Sequence, residues 1–522
     1  MTEKKKKNNL PMILIILDGW GLCPPSKGNA ITLAKTPVID KLMDEYPSTT
    51  VRACGKYVGL PPMQDGNSEA GHMNIGAGRI VEQDSVRISK SISDGTFFKN
   101  PAFVEAVKHI QKNKSKLHIM GMLSNGMSAH SDPDHLLALI TMARQHKVKD
   151  VYLHLFTDGR DSPKYASMKL IEDLEKNLKN EKIATIIGRF YAMDRKKKWD
   201  RTEKTYNALV LGKGKEKDSV AEAITESYNS GESDEFIEPY IIKYNNKTLP
   251  RISDNDSLIF FNLRSDRARQ LTKIFGQKNF NSKNTDSFNP TRKPKNLKFI
   301  IMTDFGPDLE DVLTAFPCSV LRNTLTMQFS DINQLYLAEA EKYAHVTYFF
   351  NGGYADHVAN ETRMMIPSPD VKSYDETPGM SSDDLTKEIL QKMDKVIIDF
   401  IVMNFAAPDM VGHTGNLEAG IKCCEIVDKD LGKIVKKYLE INGTVIITSD
   451  HGNVEEMINL ETGEIDTEHS TNPVPFIVVN KELKDKIKLR KDGVLGDVAP
   501  TILELTNRPQ PKEMTGKSLI KK

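Results

Sequence analysis

The sequence carries almost no net charge: 72 lysines and arginines stand against 71 aspartates and glutamates. A generic nucleic-acid binder shows a basic excess, so nucleic acid is not an expected partner. Cysteine is scarce as well. Cys23, Cys54, Cys318, Cys423 and Cys424 are odd in number and scattered, with one adjacent pair. No disulfide framework can be built from them, and a reducing, cytoplasmic compartment is expected. The apolar run Met12–Leu17 meets Asp18 at once. It is far short of the roughly 20 residues of a membrane span and a poor fit to a signal-peptide core. The lysine run Lys4–Lys7 reads as a solvated tail. No GxSxG elbow surrounds the serine discussed next.

What the sequence does have is a dense stretch from Asp65 to Arg79, DGNSEAGHMNIGAGR. Ser68 sits between carboxylates in a run of small residues that let backbone and ligand approach closely. The run lacks sustained periodicity, so Asp65–Ser68 reads as a turn. Ser68 is the candidate nucleophile. A serine hydroxyl needs a base or a metal to activate it, and with no elbow a metal is the better expectation. Taken alone, the stretch is equally a glycine-rich surface loop.

At 522 residues the chain exceeds what one core supports, so two domains are expected. Met12–Leu17 (MILIIL) suits a strand buried on both faces of a parallel sheet, and Asp18 follows at the end where such sheets bind ligands. Ala30–Tyr46 reads as a helix broken near Pro37. Further strands are expected at Lys116–Met122, Asp150–Phe156, Ile183–Ile187, Leu258–Phe261 and Leu297–Met302, with helices at Pro133–Gln145 and Tyr165–Asn180. This alternation makes a second α/β domain. Arg160, Arg189, Arg195, Arg264 and Arg267 fall just past its strand ends. Guanidinium forks match carboxylate and phosphate, so five of them on one rim point to a small, multiply anionic ligand. Gln277–Asn296 is polar and reads as a loop. A crossing back to the first domain is expected near Asp311–Phe316.

The last third supplies metal-type donors. Asp409 and His413 follow a strand-like Val396–Phe405; Asp450 and His451 close the strand Thr444–Thr448; His469 comes later. A lone Asp–His pair is more often a hydrogen-bonded turn than a ligand set. Three such clusters at strand ends, with Asp18, point to a site of carboxylates and imidazoles. Such a site suits Mn²⁺, Zn²⁺ or Fe²⁺ better than Mg²⁺.

LDGWG (17–21), DGNSEAGHMNIGAGRIV (65–81), FTDGRDSP (156–163), GRFYAMDRKKKWDR (188–201), FFNLRSDRARQ (260–270), AEAEKYAHVTYFFNGG (338–353), PDMVGHTGN (408–416), TSDHGN (448–453) and EHSTNPVPF (468–476) run through nearly the whole chain. In this order they resemble the cofactor-independent phosphoglycerate mutases of the alkaline phosphatase superfamily. The resemblance implies an α/β chain of two domains, each a mostly parallel sheet flanked by helices. Residues 1–82 and 314–522 would form the phosphatase-like metal domain, and residues 83–313 an inserted phosphotransferase domain. It implies that Asp18, Ser68, Asp450 and His451 hold one manganese and that Asp409, His413 and His469 hold the other. Ser68 would be the phosphorylated nucleophile. His130, Arg160, Asp161, Arg189, Arg195, Arg264, Arg267 and Lys342 would bind phosphoglycerate, with Asp161 first and His130 second as proton carrier. The family leans to monomers. Departures are Ala70 and Met73, where the family has Val and Leu, and His130-Ser131-Asp132 in place of His-Ser-His, after an apparent one-residue insertion.

Overall fold

The computed structural model describes residues 11–126, 128–317, 320–396 and 398–521. The lysine run Lys4–Lys7 and Cys318 lie outside the described residues. The chain divides into two compact units, one of residues 1–83 with 320–522 and one of residues 84–319.

The first unit is built on an eight-stranded sheet. Its strands are β1 (Met12–Leu17), β2 (Ser48–Arg52), β3 (Gln334–Glu339), β4 (Thr362–Ile366), β5 (Phe400–Phe405), β6 (Thr444–Thr448), β7 (Val474–Val479) and β8 (Gly493–Val494). Their spatial order is β4-β3-β5-β1-β6-β7-β2-β8. β1 lies at the centre, parallel to β5 on one side and to β6 on the other. Only the pairs that β7 makes with β6 and β2 are antiparallel. The continuous apolar sequence of β1 has a direct cause. Ile13, Ile15 and Leu17 join the core on one face, and Met12, Leu14 and Ile16 join the core on the other. All six are fully buried, each contributing about 1.5–3 kcal/mol of transfer free energy.

The second unit carries a nine-stranded sheet. Eight strands run in the order 313–316, 298–303, 257–260, 117–122, 151–157, 182–188, 240–244, 215–217, and 247–248 pairs with 240–244. Apart from the two pairings of 240–244 with 182–188 and 247–248, its ladders are parallel. Both units are therefore mixed α/β with parallel-dominated sheets, as expected. The helix Pro133–Gln145 falls where the apolar spacing predicts it, and Pro37 opens the helix Pro37–Glu45 after the short helix Ala30–Leu33. The helix expected at Tyr165–Asn180 covers only Ser167–Glu175. The strand expected from Val396 begins at Phe400.

Two expectations are corrected. The crossing expected at Asp311–Phe316 is instead occupied by the edge strand Leu313–Phe316, parallel to 298–303, and the units part after it. The stretch from Ser68 is not aperiodic loop. Ser68–Ala77 is a helix, capped by the Asn67 side chain on Ala70 N and ended at Gly78 with φ +63°. Eight of its ten residues are buried, so it is enclosed all round and leaves no amphipathic pattern to read. Among the described residues, no helix is long and apolar enough to cross a membrane.

Candidate active site

In the first unit the functional side chains gather at the carboxyl ends of the central strands, where an open α/β sheet presents its loops. Asp18 follows β1 and Asp450 and His451 follow β6, while Asp409 lies in the short helix Ala407–Gly412 after β5 and Lys342 lies just past β3. Ser68 is the first residue of its helix. Close approach depends on glycine at two points. A Cβ on Gly71 would meet the Asp450 carbonyl oxygen at 2.5 Å, and one on Gly19, already at φ +71°, would meet Asp409 Cα at 2.8 Å.

Ser68 Oγ stands 2.9 Å from His451 Nε2 and donates to Asp18 Oδ1 at 3.2 Å. Lys342 Nζ donates to Ser68 Oγ at 2.7 Å, to Asp18 Oδ1 at 2.7 Å and to Asp409 Oδ2 at 2.6 Å. His469 Nε2 and His413 Nε2 lie 3.2 and 3.4 Å from Asp409 Oδ1, and 3.0 Å from each other. Asp18, Asp450 and His451 are wholly buried and Asp409, Lys342 and Ser68 nearly so.

Buried charges set the electrostatics. Burial pushes Asp18 and Asp409 upward most strongly, but Lys342 and His451 together, joined by His469 at Asp409, outweigh it and hold both carboxyls below the ordinary range. Burial equally disfavours the ammonium, and Asp18, Asp409 and Asp450 keep it charged, above the ordinary lysine value. His451 is pushed up to about 10: its burial is overcome by Asp450, Asp18 and Asp409. Three carboxylates around one ammonium make a field that favours further positive charge.

The donor set fits divalent metal ions. Two groups have ligand atoms within 4.8 Å of one another: Asp409, His451 and His469, and Asp18, His72 and Asp450. Nδ1 of His413, His469 and His451 lies 2.7, 2.8 and 3.2 Å from the backbone oxygens of Thr467, Gly66 and Gly452. A proton on each Nδ1 leaves Nε2 as the ligating atom, the tautomer metal-bound imidazoles adopt. Facing Nε2 lone pairs 3.0 Å apart on His413 and His469 repel unless a cation or proton lies between them.

Every first-unit residue singled out in the sequence joins this cluster, although His413 is partly exposed. Several partners carried no signal that reading used. His72 is fully buried, 3.1 Å from Asp450 Oδ2. Asn404, on β5, donates to Asp18 Oδ2 at 2.7 Å and lies 3.0 Å from His72 Nε2. Glu455 ties three motif loops together, accepting from Gly21 N at 3.0 Å, Asn453 N at 2.8 Å and the side chains of Ser470 and Asn472.

Glu339, at the end of β3 and just before the turn Ala340–Lys342, is buried and accepts from Ser381 N at 3.1 Å. Burial pushes its carboxyl up to about 7. A raised carboxyl pKa means that the folded state holds its proton longer than the unfolded chain does. Stability is therefore lost as pH rises from about 4.5 to about 7. Glu339→Gln is expected to stabilise the protein by on the order of 3 kcal/mol at pH 8 and by almost nothing at pH 4, read by urea unfolding at both pH values.

The second unit holds the other expected residues. Arg189 is not on an open rim: it is 2% exposed, bonded to Asp158 and, at 2.9 Å, to Asp161 Oδ2. Asp161 Oδ2 also accepts from Ser128 Oγ at 2.7 Å. Burial raises the Asp161 carboxyl, but Ser128 and Arg189 outweigh this and hold it low. Arg195 donates to Asp266 Oδ2 at 2.7 Å, Arg264 Nε is 3.7 Å from Asp266 Oδ1, and Arg160 is 3.8 Å from Glu235. Arg267 donates to Met193 O at 3.3 Å; its guanidinium is depressed by burial and then by Arg189, Arg195 and Arg160, so these cations do converge. Burial, with Arg189 and Arg264, brings His130 down to about 4. The arginines thus come interleaved with Asp161, which the resemblance implied, and with Asp158 and Asp266, which the sequence alone did not single out.

Residues 330–511 match the family model described as type I phosphodiesterase / nucleotide pyrophosphatase. With a parallel-dominated sheet and a cluster of carboxylates and imidazoles suited to divalent metals, this defines a member of the alkaline phosphatase superfamily. Residues 88–307 match a second model, the N-terminus of BPG-independent PGAM. The chain is 49% identical to the 2,3-bisphosphoglycerate-independent phosphoglycerate mutase of Clostridium kluyveri over 517 residues, covering 98% of this chain and 99% of that one. Its counterpart from Clostridioides difficile is 48% identical at the same coverage. A crystal structure of Leishmania mexicana phosphoglycerate mutase at low cobalt concentration aligns over 100% of this chain and 99% of that one, with a TM-score of 0.73 and 28% identity. The chain belongs to the 2,3-bisphosphoglycerate-independent phosphoglycerate mutase family.

Proposed function

We propose that this enzyme interconverts 3-phosphoglycerate and 2-phosphoglycerate through a phosphoserine on Ser68, without 2,3-bisphosphoglycerate. The observation that carries the reading is Ser68 Oγ, 2.7 Å from a buried ammonium and 2.9 Å from an imidazole, among Asp18, Asp409 and Asp450. In this reading Asp18, Ser68, Asp450 and His451 hold one divalent ion, with His72 beside them, and Asp409, His413 and His469 hold the other. Mn²⁺ is our choice for both. Bound there, the ions lower the pKa of the serine hydroxyl and neutralise phosphoryl oxygens.

The residues divide the remaining work. Ser68 Oγ attacks phosphorus; the new P–O bond forms as the bond to the glycerate oxygen breaks, and that oxygen takes a proton. Lys342 offsets charge on the transferring group. Phospho-Ser68 sits at a helix N-terminus, whose unpaired amides favour an anion. Arg160, Arg195, Arg264 and Arg267 hold the carboxylate of glycerate, and Arg189 fixes Asp161. Asp161 and His130 move the proton between the two hydroxyls. The second hydroxyl then attacks phospho-Ser68 and releases the free serine. The unit of residues 84–319 supplies the substrate-binding arginines and the unit of residues 1–83 with 320–522 the metal-binding groups. We take the enzyme to act as a cytoplasmic monomer on this small molecule alone.

The test incubates purified protein with 3-phosphoglycerate and Mn²⁺, without bisphosphoglycerate, and follows ³¹P NMR. The 2-phosphoglycerate resonance is expected to grow; inorganic phosphate in its place would identify a phosphatase instead. Exhaustive chelation is expected to bring turnover to background and added Mn²⁺ to restore it. Activity that survives chelation overturns the metal assignment.

A further inference from the structure

Among the described residues of the second unit, eight side-chain atoms are closed to solvent and lack a hydrogen-bond partner, and two of these face each other: His130 Nδ1 and Asp266 Oδ1. They lie 4.0 Å apart. Leaving such atoms unpaired costs about 1–3 kcal/mol each, and folded proteins leave few of them. The gap exceeds an N–H···O bond by about 1 Å, a distance that a small side-chain rotation closes.

The carboxylate is held in place from its other side. Arg195 donates to Asp266 Oδ2 at 2.7 Å, and Arg264 Nε lies 3.7 Å from Oδ1. These two guanidiniums are about half exposed, and they are the groups assigned above to the substrate's carboxylate. An anion that draws them off leaves Asp266 with one near proton donor, His130 Nδ1. Asp161 is engaged elsewhere through its Oδ2, which Ser128 and Arg189 share.

We propose that Asp266 is the positioning residue for His130: as the substrate's anionic groups claim Arg195 and Arg264, Asp266 accepts the His130 Nδ1 proton and leaves Nε2 to meet the glycerate hydroxyls. The glycerate oxygen freed by transfer to Ser68 takes its proton from Nε2, and Nε2 then takes the proton of the second hydroxyl as that oxygen attacks phospho-Ser68; the Asp266 carboxylate stabilises the imidazolium before the first transfer and after the second, as a buried aspartate does for histidine in acyl-transfer triads. This rests on the reading of His130 as a proton carrier.

A double-mutant cycle on the manganese-loaded full chain tests it. Asp266→Asn is expected to lower kcat roughly 10- to 100-fold with KM little changed, and Asp266→Glu to recover part of the loss. In a His130→Gln background, itself impaired, Asp266→Asn is expected to add less than about twofold. Additive losses, a rise in KM alone, or a His130→Gln enzyme with full turnover would each overturn the proposal. Bound manganese and circular dichroism check the fold; if Asp266→Asn does not fold, Asp266→Glu carries the same cycle. Wild-type protein that does not isomerise 3-phosphoglycerate refutes the function itself, a separate outcome from failure of the cycle.

Discussion

Ser68→Ala is expected to bring interconversion to background, a loss of at least roughly 10⁴-fold, in line with removal of a nucleophile from other covalent enzymes. The substitution takes away one buried oxygen that accepts from Lys342 at 2.7 Å and donates to Asp18 at 3.2 Å. Lys342 keeps Asp18 and Asp409 as partners, so the fold is expected to survive, while the ion assigned to Asp18, Ser68, Asp450 and His451 loses one of its four ligands and is expected to bind more weakly. Acid-quenched wild-type protein given substrate should carry one phosphate on the peptide containing Ser68, and the variant none. An active Ser68→Ala protein, or phosphate trapped elsewhere, would remove the serine from the mechanism.

Lys342→Met should cost turnover roughly 10²- to 10³-fold, the range seen when one preorganised charge is lost from a transition state. The metal readout separates this role from a structural one. The ammonium shares Asp18 Oδ1 and Asp409 Oδ2 with any cation bound there, so removing it deletes a competitor. Manganese is expected to bind the variant at least as tightly as wild type by calorimetry. The metal-free variant should be markedly less stable, because three buried carboxylates lose their counter-charge, and Mn²⁺ should restore the loss. Weaker manganese binding would mean that Lys342 shapes the metal site instead of serving the transferring group.

Much of the architecture is legible in the sequence because parallel strands buried on both faces are written as continuous apolar runs. MILIIL and TVIIT have the boundaries of β1 and β6 to the residue. The helix Ser68–Ala77 is hidden for the opposite reason: a segment enclosed on every side keeps no polar face, so its Gly, Asn and Ala read as a loop. Side-chain partnerships across the sheet are hidden too. His118 Nδ1 lies 2.9 Å from His154 Nε2, His154 Nδ1 lies 2.9 Å from Thr185 Oγ1, and His118 Nε2 lies 3.2 Å from Asp256 Oδ2, all four residues buried. Strand register unites positions that the sequence scatters from 118 to 256. In the candidate site, Asp18, Ser68 and the Asp–His pairs could be singled out because each closes a recognisable loop. His72 and Asn404 could not, since one lies inside the concealed helix and the other inside a strand. Asp158 and Asp266 stand beside arginines that drew the reading toward cations; only the folded chain shows that these acids already hold Arg189 and Arg195.

The place of β1 between β5 and β6 also bears on how the molecule is made. Met12 pairs with Phe400 and Thr444, so nearly four hundred residues leave the ribosome before the most apolar strand of the chain finds a neighbour. Residues 84–319 form their own compact unit and can settle during that interval. MILIIL must meanwhile stay solvated, chaperone-held or loosely collapsed, and its sheet is complete only after Val474–Val479 and Gly493–Val494 have followed.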